Sequence, residues 1–143
     1  MKSTGAVAEP ALCFVVDDEP AIGRFIALAA GQLGVEVETH LDIAGMNAGL
    51  GERLPDLIFL DVSLGASDAI EAIRHLAAKE FSGAVQLMSG RDIMLLEDVR
   101  VIGERHGLRM RPVLPKPFRV EAIKRIIVEE GLFAPSQDDR ATA

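Results

Sequence analysis

Five short apolar runs, separated by segments of helical period, limit the folds open to this sequence more than any other feature. They read LCFVV at 12–16, VEVET at 35–39, DLIFL at 56–60, AVQLM at 84–88 and RMRPVL at 109–114. Their length and branched content predict strands. Between them, apolar residues recur every three or four positions. One stripe is Ile22, Phe25, Ile26 and Ala29, after a Pro20 suited to a first helical turn. Another is Ile70, Ile73 and Leu76, behind Asp68 and Glu71 at capping-box spacing. Leu95, Val99 and Ile102 make a third, and Val120, Ile123, Ile126 and Ile127 a fourth. Gly31, Gly34, Gly107 and Gly131 mark helix ends. The segment 41–53 is the weakest, because three glycines interrupt its period. Strand and helix in alternation imply an α/β domain: a doubly wound, five-stranded parallel sheet covered on both faces, with right-handed crossovers.

A chain of 143 residues is long enough for one domain with a real core. The folded domain is expected over 11–131, with small polar ends, 1–10 and 132–143, as flexible tails. The net charge of −7 argues against nucleic acid or an anionic membrane as the main partner. No stretch approaches the roughly 18 apolar residues of a membrane span, and the first residues lack a signal-peptide core, so a cytoplasmic protein is expected. Cys13 falls inside the first apolar run, where a buried thiol in a reducing compartment is the simplest reading.

In open parallel sheets, ligands bind at the carboxyl ends of the strands. The polar residues that interrupt the apolar runs fall there. Asp17 and Asp18 follow the first run, Asp61 the third, Ser89 and Gly90 the fourth, and Lys116 the fifth. Each has a plainer reading: Asp17 and Asp18 as helix caps ahead of Pro20, Asp61 and Ser89 as turn residues, Lys116 as a surface lysine between two prolines. Together at sister positions they make a site. Clustered carboxylates repel unless a cation compensates, and hard oxygen ligands suit Mg²⁺ or Mn²⁺. One carboxylate could then attack phosphorus, with the lysine offsetting charge on the transferred group.

The motifs VVDDE, IFLD, MSG and LPKPF, in that order, resemble the receiver domain of two-component response regulators over about residues 11–130. The resemblance implies a flavodoxin-like (βα)5 fold with strand order 2-1-3-4-5. It implies that Asp61 accepts a phosphoryl group from a histidine kinase or histidine phosphotransfer protein. Asp18 would bind the metal directly, Asp17 through water, and Ser63 through its backbone carbonyl. Ser89 would be the switch hydroxyl and Lys116 the cation that pairs with the phosphoryl group, with the Lys116–Pro117 bond cis. Gly90 would leave room for the donor, while Ser63 and Arg91 occupy positions that tune phosphoryl lifetime, here toward a moderate to long one. Output would pass to another protein, and a homodimer could form through the last helices and strand. That face would gather Arg105, His106, Arg109, Arg111, Arg119, Lys124 and Arg125, which otherwise read as scattered surface charge. A looser likeness, in DVSLGASDAIEAIR, GAVQLMSGRD and GERHGLRM, is to receivers joined to EAL phosphodiesterase domains.

The chain also departs from the family pattern. Gly65 stands where proline is common and Ala69 where glycine is common. Val113 occupies the place of the switch aromatic, and the chain has no Tyr or Trp. These departures keep open a second class, a degenerate receiver that binds partners without phosphorylation. A third, an aspartate-nucleophile phosphatase, would want a second acid where Ser63 stands. Met88, Met94 and Met110 read as core filling, His75 and His106 as solvated helix faces, and His40 as the start of a loop. No histidine pair has zinc-ligand spacing.

Overall fold

A computed structural model describes residues 9–91 and 93–133. Most of the expected tails, 1–10 and 132–143, lies outside the described residues. The strands are β1 (Leu12–Val16), β2 (Glu36–His40), β3 (Leu57–Asp61), β4 (Ala84–Ser89), β5 (Arg109–Met110) and β6 (Leu114–Pro115). Between them run α1 (Pro20–Gly31), α2 (Ile43–Leu50), α3 (Ala66–Ala78), α4 (Ile93–Arg105) and α5 (Val120–Glu129), with a 3-10 turn at Val62–Leu64. All pairings are parallel and the order is β2-β1-β3-β4-β5, with β6 also on β4. The doubly wound parallel sheet with five helices is therefore present.

Side chains alternate across a strand, so a sheet buried on both faces needs apolar residues at every position. In β1, Leu12, Phe14 and Val16 enter one core with Ile58, Leu60, Val85 and Leu87. Cys13 and Val15 enter the other with Leu57, Phe59, Met88 and Ile123. Phe59 is fully buried, and its truncation to alanine should cost about 3–5 kcal/mol. Burial pushes the Cys13 thiol up to about 12, helped by the Asp56 charge, so it is an inert core residue.

Several details differ from the sequence reading. The edge run at 109–114 is two short strands, because Pro112 has no N–H to donate. Buried Gln86 closes the gap by donating to the Pro112 carbonyl at 2.8 Å. The weak segment 41–53, by contrast, forms the helix that the alternation asks for, capped by Asp42, which accepts from the Gly45 N–H at 2.8 Å. Asp68 and Glu71 make no capping box, since α3 already begins at Ala66 after Gly65. Met94 is 73% exposed and no core residue, whereas Met88 is buried and Met110 packs against the core. Among the histidines, His40 ends β2 and packs edge-on to Phe14, and His75 keeps its Nε2 buried. His106 is exposed as expected.

Candidate functional site

Parallel strands end on one side, so the residues that close β1, β3, β4 and β6 meet there. Asp61 is the last residue of β3 and is 1% exposed. Asp17, just past β1, is buried, and Asp18 beside it is exposed. One carboxylate oxygen from each of these three residues lies within 4.8 Å of the others. Lys116 reaches in from beyond β6, its Nζ 2.7 Å from Asp17 Oδ2 and 3.4 Å from Asp61 Oδ1. Its backbone N–H donates to the Ser89 carbonyl at 2.8 Å, and the Lys116–Pro117 peptide is cis.

The turn after β3 is shaped by its own sequence. Ser63 N–H donates to Asp61 Oδ1 at 3.1 Å, which pins the carboxylate. Gly65 then adopts φ 128°, a conformation that L side chains rarely take and that proline, fixed near −65°, cannot. The departure from the family's proline is thus a different turn. Ser89, at the end of β4, is 4% exposed and its hydroxyl lies 3.0 Å from that of Ser63. Arg91 N–H donates to the same Ser89 oxygen at 3.1 Å.

A cleft of about 380 Å³ opens over this group, lined by Asp18, Glu19, Asp61, Ser63, Gly90, Arg91 and Lys116. Gly90 is exposed on its rim, where an added Cβ would come no closer than 3.6 Å to Lys116, so access rather than crowding is what its small size affects. Glu19 belongs to the site although the sequence reading passed over it. Its carboxylate is 3.9 Å from Lys116 Nζ and its N–H donates to Asp17 Oδ1 at 2.9 Å. The signal was the third acid in DDEP. Val113 is half-buried against the core on the α3 and α4 side and adds no polar group.

Electrostatics follow from this geometry. Burial pushes the Asp61 carboxyl above the usual carboxylate range. The Ser63 N–H opposes this, the Asp17 charge adds to it, and Lys116 also opposes it without cancelling the rise. Burial would lower the Lys116 ammonium, but its hydrogen bond to Asp17 and the Asp61 charge outweigh that and hold it above its ordinary value. Asp17, Asp18 and Asp61 bring three carboxylates against the one ammonium of Lys116. A compact, all-oxygen, under-compensated set of this kind fits a small divalent cation such as Mg²⁺.

With the geometry in view, comparison with known proteins agrees. A family model described as "Response regulator receiver domain" matches residues 13–128. The transcriptional regulatory protein TrcR of Mycobacterium tuberculosis is 27% identical over 118 residues, which cover 82% of this chain and 44% of TrcR. The chain thus spans less than half the length of that relative. A response regulator receiver protein from Burkholderia phymatum has a TM-score of 0.69 at 25% identity, covering 88% of this chain and 99% of the other. The chemotaxis protein CheY4 of Vibrio cholerae has a TM-score of 0.70 at 20% identity, covering 85% and 98%, which speaks to the fold alone.

Proposed function

The chain belongs to the response regulator receiver domain family, and from that premise we propose that it is a phosphorylation-operated switch with Asp61 as acceptor. The observation that carries this reading is the buried Asp61 carboxylate, pinned by Ser63 N–H and set beside Asp17, Asp18 and Lys116 under an open cleft. The donor is a histidine kinase or histidine phosphotransfer protein. An Asp61 oxygen forms the new bond to phosphorus while the bond from phosphorus to the donor imidazole nitrogen breaks, and the electron pair leaves with that nitrogen. Asp17, Asp18, Asp61 and the Ser63 carbonyl would hold Mg²⁺ or Mn²⁺, which when bound supplies positive charge against the growing negative charge. Lys116 lies 3.4 Å from Asp61 Oδ1 and exchanges part of its pairing with Asp17 for a phosphoryl oxygen. Ser89 supplies a hydroxyl to another, and Gly90 and Arg91 frame the entrance. Exposed Ser63 and Arg91 carry no side-chain carboxylate or amide to hold an attacking water, which favours a moderate to long phosphoryl lifetime.

Output passes to a partner protein, and a cytoplasmic place goes with this reading. No described helix is long and apolar enough to cross a membrane. For a homodimer through α4, the β5–β6 edge and α5, Arg109 and Arg111 are already paired within the chain to Glu129 and Glu130.

Incubation with Mg²⁺ and acetyl phosphate, read by intact mass, tests the proposal. One phosphoryl group should be gained, and the gain should be lost in Asp61→Asn and without Mg²⁺. A folded protein that gains none, from acetyl phosphate or a phosphorylated histidine donor protein, would instead support a phosphorylation-independent binding module. Val113 and the altered Gly65 turn are the features that favour that second reading.

A further inference from the structure

Ser63 is exposed, yet its hydroxyl is tied to the buried hydroxyl of Ser89 at 3.0 Å. Its own N–H holds Asp61 Oδ1, and Arg91 N–H holds the Ser89 oxygen. One residue therefore joins the acceptor carboxylate to the switch hydroxyl. A hydroxyl has one proton and two lone pairs. With one Ser89 lone pair taken by Arg91, the serine pair can run in either direction. Ser89 can donate to Ser63, or it can accept from Ser63 and keep its own proton for a third group.

We propose that Ser63 is a positioning residue that holds the Ser89 hydroxyl turned into the acceptor site before a phosphoryl group arrives. The proposal rests on the reading of Asp61 as acceptor. When the phosphoryl group is in place, Ser63 becomes the donor of the pair and Ser89 turns its proton to a phosphoryl oxygen. The contact persists and only its direction reverses. A hydroxyl held in advance matters because apparent affinity falls with the fraction of molecules already competent to bind. The device suits a chain with no tyrosine and with Val113 where a switching ring would stand.

The test is titration with beryllofluoride and Mg²⁺, followed by the Arg91 amide resonance. Wild type is compared with Ser63→Ala, Ser63→Thr, Ser89→Ala and the double alanine variant. Ser63→Ala should weaken beryllofluoride binding about 3- to 10-fold, the range one hydroxyl pair commands. Ser63→Thr, which keeps the hydroxyl, should restore it. In the Ser89→Ala background, Ser63→Ala should add nothing, because its partner is already gone. Before any beryllofluoride is added, Ser63→Ala should also move the Arg91 resonance, since the acceptor of that N–H has lost its other partner. Equal weakening in both backgrounds, or an unmoved Arg91 resonance, would overturn the proposal while the Asp61 reading stands. A wild type that takes up no beryllofluoride, like the Asp61→Asn control, would overturn both.

Discussion

Two charged clusters in this domain are built on opposite plans. At the strand ends, Asp17, Asp18 and Asp61 face the single ammonium of Lys116. Beside α5, Arg109 and Arg111 meet Glu129 and Glu130 at 2.5–2.6 Å, charge for charge. The carboxylates register the difference. Burial raises Asp61 and its cationic partner does not cancel the rise. Glu130 is also pushed up by burial, but its hydrogen bonds from Arg109 and Arg111 win and leave it below the usual range. A balanced cluster completes the fold by itself. An unbalanced one leaves charge that a cation from outside could meet, which is what suits it to be a site.

The largest expected effect tests that last statement. Mg²⁺ at about 100 times its dissociation constant should stabilise the wild type by about 2.7 kcal/mol, read by thermal or urea unfolding. Asp18→Asn should remove this gain and Glu130→Gln should keep it. A wild type indifferent to Mg²⁺ would break the comparison. Glu130→Gln should itself lower stability by about 1–2 kcal/mol at neutral pH, less than for a sealed pair because Arg109 is 61% exposed.

The two carboxylates should also respond to pH with opposite sign. The Glu130 contribution is present above the ordinary carboxylate value and is lost as pH falls through its lowered native value. The gap between wild type and Glu130→Gln should therefore close in acid. The Asp61 penalty is absent below the ordinary value and sets in as pH rises through the raised native value. Without metal, Asp61→Asn should gain on the order of 1 kcal/mol at neutral pH, a gain that fades in acid. Parallel pH profiles for the two variants would show the clusters to be alike. The smallest effect is expected from Arg109→Ala, at most about 0.5 kcal/mol and weakened further by salt, since the guanidinium is mostly exposed.

Much of this could be read from residues alone because the fold is written in a strong periodicity. LCFVV is apolar at every position and LIFLD at every position but its closing Asp61, which only a strand buried on both faces requires. Once those runs are strands, Asp17, Asp61, Ser89 and Lys116 must fall on one edge. Periodicity does not reach the roles of single residues. Met94 carries an apolar side chain on an exposed turn of α4, and nothing local distinguishes it from buried Met88. The capping box at Asp68 failed because Gly65 starts α3 earlier, through a backbone angle that spacing does not reveal. Glu19 was passed over because its role depends on where Lys116 Nζ lies, from a residue nearly a hundred positions away.

By itself, then, the sequence determined the strand and helix order, the two buried faces and the set of acids, hydroxyl and lysine at the strand ends. Those follow from periodicity and residue type, which act locally along the chain. Only the tertiary structure decided which charges balance and which hydroxyls touch. Arg111 finds Glu130, Lys116 finds Asp17, and Ser63 finds Ser89 across gaps that only the packed sheet closes. Hydrogen bonds and ion pairs depend on distances of a few tenths of an ångström, and those are set by the whole fold at once.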